Sequence, residues 1–263
     1  MKRLLLLTTI FTLLFASSAF AMITMSRHNL GSTHPAGAQY GDVYTAAGTT
    51  EVCVFCHTPH GGTTDAPLWN RAMATAGAYT PYSSSTIDTS VGQPDGVSLA
   101  CLSCHDGTIA LDALRNAPGS GGFSTTPTSQ GWTFSGISTS PGNNTLPEDG
   151  RITNLTQVLS DDHPISMVYP TATQDPKFFT PATCGNAQCF DENSNSRADD
   201  NEVRLFTSTT GYKVQCASCH NPHGTTASIG TPASNLAPNG VDYAVFLRKS
   251  QSASGLCVTC HIK

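Results

Sequence analysis

Apolar positions come in one long run and otherwise in short bursts. Residues 4–15 are mostly apolar, follow Lys2 and Arg3, and precede Ala19-Phe20-Ala21. A positive start, an apolar stretch and a small-x-small cleavage site together mark a secretory signal, so the mature chain is expected to begin at Met22. The run falls short of the ~20 apolar residues a membrane span needs, and no later stretch approaches that length. Gly and Pro break residues 22–52, which predicts an extended arm or loop. Two short apolar stretches end in basic residues: Pro67-Leu68-Trp69-Asn70-Arg71 and Val245-Phe246-Leu247-Arg248-Lys249. Residues 117–144 are dominated by Gly, Ser, Thr and Pro and read as loop, with a short strand near Trp132-Thr133-Phe134. The expected fold class is mostly irregular coil with short helices and few short strands.

Composition sharpens this. With 23 Gly, 16 Pro and 38% hydrophobic residues, the side chains alone look poor at building a conventional core. Without Lys2 and Arg3 the chain keeps 11 basic and 18 acidic residues, a formal charge of −7. No basic stripe exists to displace phosphate counterions, so a nucleic-acid partner is not expected. A basic redox partner or a cationic mineral surface would suit the charge.

The candidate chemistry lies in one phrase used four times, Cys-x-x-Cys-His. It stands at Cys53-Val54-Phe55-Cys56-His57, Cys101-Leu102-Ser103-Cys104-His105, Cys216-Ala217-Ser218-Cys219-His220 and Cys257-Val258-Thr259-Cys260-His261. Two thiols three positions apart can each form a thioether to a haem vinyl group, and the adjacent His reaches the iron as proximal ligand. Zinc knuckles would not lock a His behind each second Cys, and a thioredoxin-like dithiol is expected once, in a strand–helix context. Four covalently bound c-type haems are therefore expected, and they would serve as the core that the polypeptide wraps.

The motifs form an internal repeat. Cys53 opens Cys-x-x-Cys-His-Thr-Pro-His60-Gly61 and Cys216 opens Cys-x-x-Cys-His-Asn-Pro-His223-Gly224; each passes through one of the apolar–basic stretches to a second motif. The organisation read from this is a signal at 1–21, an arm with a first two-haem module at 22–111, an insertion at 112–215 and a second two-haem module at 216–263. His60 and His223 sit too close to their own proximal His to cross to the opposite face of the same iron. They are expected to reach the iron of a haem stacked alongside; the plainer alternative is a local cap on a proline turn.

The remaining distal candidates are His28, His34 and His163. Asp161 or Asp162 could accept the imidazole proton of His163, or cap an ordinary turn. Five spare His for four sixth positions do not require an open iron, and leave Met22, Met25, Met73 and Met167 unnecessary as ligands. A spare N-terminal His donated to a neighbouring molecule would chain subunits head to tail.

The insertion carries two further signals. Cys184 and Cys189 are the only Cys outside the motifs, and in an exported protein a short disulfide is expected. Asp191, Asn193, Asn195, Arg197 (through its carbonyl), Asp199 and Glu202 occupy positions 1, 3, 5, 7, 9 and 12 of a calcium loop. Ser196 stands where Gly usually makes the sharp turn. Bound Ca²⁺ as a structural clip and an acidic solvated loop are both open readings.

The Cys-x-x-Cys-His-Thr-Pro-His-Gly opening, the Asp-Asp-His-Pro motif and the closing Phe-Leu-Arg…Leu-Cys-Val-Thr-Cys-His resemble the OmcE-like group of extracellular tetrahaem c-type cytochromes, over residues 26–111 and 160–263. The resemblance implies a multihaem cytochrome c wrapped around a stacked chain of bis-His haems, a distal His exchanged between subunits, and self-association into a conductive filament. The calcium-like loop and the Ser/Thr/Gly segment lie outside the resemblance. The expected function is electron transfer without enzymatic turnover, at the cell surface, to redox proteins or extracellular acceptors. The alternatives are a monomeric periplasmic shuttle and a multihaem reductase, the latter without a Cys-x-x-Cys-Lys motif to support it.

Overall fold

Backbone breaks are so frequent that no helix among the described residues exceeds ten residues. The computed structural model describes residues 21–24, 26–32, 44–63, 66–120, 123–135, 137, 144–148, 153–224 and 246–262. The signal-like segment before Ala21, Met25, His34 and Val245 lie outside them, as do parts of the 117–144 loop. The protein is mostly coil with a few short helices and strands. No helix among the described residues is long and apolar enough to cross a membrane.

The strands, in chain order, are β1 (Thr80–Pro81), β2 (Ala113–Leu114), β3 (Thr128–Ser129), β4 (Val158–Leu159), β5 (Met167–Val168), β6 (Ala182–Cys184), β7 (Ala187–Cys189), β8 (Arg204–Ser208) and β9 (Gly211–Val214). The longest helix is α1 (Gly96–His105); α2 (Cys216–Cys219) and α3 (Cys257–Cys260) are single turns, as is Ala21–Thr24 at the start. β1 pairs in parallel with β4, and β2 antiparallel with β3. The rest form one antiparallel sheet in the order β5-β9-β8-β7-β6. Its two tight hairpins each leave two residues in the loop. Gly185, at φ +63°, begins the turn between β6 and β7, the left-handed conformation such turns need. The disulfide between Cys184 and Cys189 clips that hairpin, with Cα atoms 5.8 Å apart.

The strand expected at Trp132–Phe134 shrinks to a single bridge. Phe134 pairs antiparallel with Ala46, while Ala47 and Ser135 donate to Thr133 and Thr45 carbonyls. The short strand falls instead at Thr128–Ser129, where Ser129 and the Trp132 N–H both bind the buried carboxylate of Asp112. A buried acceptor overrides local β propensity here.

Apolar burial is split into three small clusters. The first joins Tyr44, Ala46, Phe55, Leu111, Phe134, Ile137 and Leu146; the second Ala74, Tyr79, Leu102 and Leu159; the third Met167, Tyr169, Leu205 and Val214. Polar staples connect them. Gln215 accepts from Ser98 and Ser166 and donates to Asp95, which also pairs with Lys213. Arg71 is fully buried, and its guanidinium holds the Leu111 carbonyl at 2.6 Å, Ala110 at 2.8 Å and Ser103 at 3.1 Å. The planar fork reaches carbonyls from the last turn of α1 and from the loop behind it at once.

Arg71→Met would strand three buried acceptors and is expected to cost about 3 kcal/mol. Arg71→Lys keeps the charge without the fork and should cost about 1–2 kcal/mol. Urea unfolding measures both; an unchanged midpoint in Arg71→Met would show that these carbonyls find other partners.

Candidate haem-binding centre

All four Cys-x-x-Cys-His motifs fold as a helical turn. His57, His220 and His261 donate their backbone N–H to the carbonyls of Cys53, Cys216 and Cys257 at 2.8, 3.0 and 3.0 Å, and the Cys101 motif forms the end of α1. Residues three apart share a helix face, so both thiols of each motif lie on one side and the His leaves at the C-terminal end.

The two Pro-His-Gly motifs share a local fold. His57 bridges to Trp69 as His220 bridges to Leu247. Thr58 donates to Leu68 as Asn221 donates to Phe246, and Asn70 to Cys56 as Arg248 to Cys219. Leu68 and Phe246 both take left-handed backbone, at φ +52° and +66°. The tail glycines, Gly61 and Gly224, have φ +71° and +86°, which explains the residue type at that position.

The imidazoles are tethered through one nitrogen. Nδ1–H of His57 donates to the Pro67 carbonyl at 2.8 Å, that of His105 to Thr153 at 2.7 Å, that of His28 to Pro222 at 2.9 Å and that of His163 to Pro164 at 3.1 Å. A carbonyl only accepts, so each tether takes the Nδ1–H and, in a neutral ring, leaves the Nε2 lone pair as the one that can bind a metal. Burial first, and then neighbouring His105, push His28 down to about 4. Burial likewise pushes His105 down, and partial desolvation lowers His220 and His223. These rings stay neutral at physiological pH.

Two pairs of imidazoles meet. His57 and His223 have ring centres 5.9 Å apart at 25°, and His28 and His105 lie 6.1 Å apart at 62°. His28 also stacks on Phe246 at 4.2 Å and 17°. His60 and His163 are exposed, and no described ring packs against either. His261 packs against Phe178, ring centres 4.4 Å apart.

Burial drives the thiols away from thiolate. Cys56 and Cys260 are pushed up to about 12 and Cys219 to about 11. Interaction between the Cys101 and Cys216 thiols raises the first and lowers the second. Zinc needs thiolates converging on one point, whereas among the described residues no three His, Cys, Asp or Glu groups converge as a metal cage. A haem iron asks less of the chain, one imidazole on each face.

The motifs follow one another in space as in sequence. Cys56 and Cys104 pack on the same apolar cluster. The Cys216 N–H donates to Ser98 of α1 at 3.1 Å. The third motif continues β9; the fourth hangs on residues after β5, the neighbouring strand, through Tyr169 and Phe179 at the Cys260 carbonyl.

Three orphaned donors test the fit of a haem. Trp69 Nε1, Thr63 Oγ1 and Thr153 Oγ1 are buried without a hydrogen-bond partner. Trp69 lies edge-on to His57, Thr63 bridges to Trp69, and Thr153 is the residue that tethers His105. Buried donors of this kind call for acceptors, and the two carboxylates of a haem are suitable ones. The sequence pattern gave no warning of these three residues.

The 191–202 loop closes on itself. Asp191 accepts from the N–H groups of Asn195 and Ser196; Asp199 accepts from the amides of Asn193 and Asn195, which hold its carboxyl below the usual range. Glu202, buried, accepts from Glu192 and Asp199 N–H groups, and Arg197 donates its N–H to Asn195. Asp191, Asp199 and Glu202 do not gather as a three-group metal cage. Ser196 nevertheless takes the left-handed backbone of the glycine it replaces, φ +60°.

No protein-family model matches the chain, and no curated protein matches it. Ser196→Gly removes the steric penalty of a left-handed Ser and is expected to stabilise the protein by up to about 1 kcal/mol. A thermal unfolding midpoint that falls instead would mean that the Ser196 side chain contributes more than its backbone strain costs.

Proposed function

We propose that this protein is an exported tetrahaem c-type cytochrome that carries electrons along four closely spaced haems. The observation that carries the reading is the repeated pairing of a two-thiol helical turn with a His, tethered through Nδ1 at the first two motifs. Each turn supplies two thiols for covalent attachment and one imidazole for the iron. The tethers hold the rings against rotation, and the orphaned Trp69, Thr63 and Thr153 donors supply partners for haem carboxylates. When bound, the haems supply the one-electron chemistry.

The chain's own work is positioning. Arg71 ties the stretch after the first motif to the helix of the second; Gln215, Ser98 and Asp95 tie the second motif to the third; the third follows β9, and the fourth hydrogen-bonds to residues that follow its neighbour β5. Apolar burial divided among three separate clusters supports a core that haems would complete, the role expected of them in a chain this rich in Gly and Pro. Outside the cell, head-to-tail assembly into a conducting filament extends the same path, as the resemblance implies.

Mass spectrometry of protein made with covalent haem attachment is expected to show four haems, and Cys53→Ala with Cys56→Ala to remove one. A mature chain without covalent haem would refute the reading. Electron microscopy of shed surface material separates filaments from discrete monomers, the latter favouring a periplasmic shuttle.

A further inference from the structure

We infer that the His57/His223 and His28/His105 pairs are the axial ligands of the first two haems, so that the distal ligand of each is supplied or held by the second module. The inference rests on the tetrahaem reading and adds to it which residue serves which iron.

Distance is the first argument. An iron bound through two Nε2 atoms sits about 2 Å from each nitrogen, which separates the ring centres by about 6 Å across the porphyrin. The observed separations are 5.9 and 6.1 Å. Each pair joins the His of a Cys-x-x-Cys-His turn to one that follows no such pair of thiols, the combination that a proximal and a distal ligand require.

Orientation is the second. In the His28/His105 pair both Nδ1 atoms are spent on backbone carbonyls, Pro222 and Thr153, so Nε2 is the free nitrogen on both rings. His28 is further fixed by stacking on Phe246. With both Nδ1–H groups spent on carbonyls, the pair brings two acceptor nitrogens together with no donor between them. A metal between them resolves that.

Pro222, His223 and Phe246 all belong to the second module. It thus supplies the distal ligand of the first haem directly, and holds in place the arm residue that serves the second haem. The two modules form one interlocked unit, and His28 acts within its own chain.

The test uses the full haem-loaded protein and reads spin state by electron paramagnetic resonance. His223→Ala is expected to turn one haem in four high-spin, with the haem count by mass unchanged and the low-spin signal restored by added imidazole. Combining it with Cys53→Ala and Cys56→Ala, which removes the first haem, should abolish that high-spin signal. His28→Ala should behave the same way, and lose its signal when Cys101 and Cys104 are replaced. If His223→Ala does not mature, His223→Met carries the test: one of four reduction potentials should rise and three stay put. Four low-spin haems in His223→Ala, or a high-spin signal that survives loss of the first haem, would overturn the assignment. Absence of covalent haem in the unaltered protein would instead overturn the tetrahaem reading beneath it, and mass alone distinguishes the two failures.

Discussion

A neutral imidazole offers its lone pair in one direction, and that direction is useful only if the other ring nitrogen is committed elsewhere. This chain commits it to backbone carbonyls. Pro67, Thr153, Pro222 and Pro164 each accept an Nδ1 proton from a His. Three of these acceptors are prolines, residues that bring a carbonyl without an N–H competing for partners. The Pro-rich, irregular backbone is therefore suited to the site: it exposes acceptors that a regular helix or sheet would consume internally.

The same irregularity carries a cost in core. Three small apolar clusters cannot cooperate as one, and the connections between them are polar. Arg71 spends its charge on carbonyls, and Gln215 spends its amide on Ser98, Ser166 and Asp95. Buried polar contacts of this kind specify geometry more than they add stability, because each group gives up water to make them. In the proposed cytochrome, the haems would supply the remaining apolar burial.

Local features were legible in the sequence, and long-range ones were not. The turn at each Cys-x-x-Cys-His follows from its spacing, and the coil-rich fold class from Gly and Pro. The shared fold of the Leu68 and Phe246 stretches follows from the repeat that contains them. The disulfide was readable from the two Cys left over. The meeting of His28 with His105 was hidden, because 77 positions separate them and no periodicity links an arm to a helix end. Trp132–Phe134 misled because its aromatic and β-branched residues favour strand, while Asp112, distant in sequence, bends that segment toward its carboxylate. Orphaned donors such as Trp69 Nε1 appear only once the neighbours that might have satisfied them are placed.

The repeat also explains why the modules interlock. In the proposed two-haem modules, a Pro-His-Gly motif would present its extra His beyond its own proximal ligand, so that this His would look outward for an iron. In the second module His223 looks toward His57 of the first, and its neighbour Pro222 captures the arm that carries His28. In the first module the equivalent His60 looks outward as well and is exposed. A repeat whose units face one another in this directional way has a satisfied end and an open one. Such a unit is heterologous by construction, and heterologous contacts close into rings only if their rotation permits it. The proposed filament would extend from that open end.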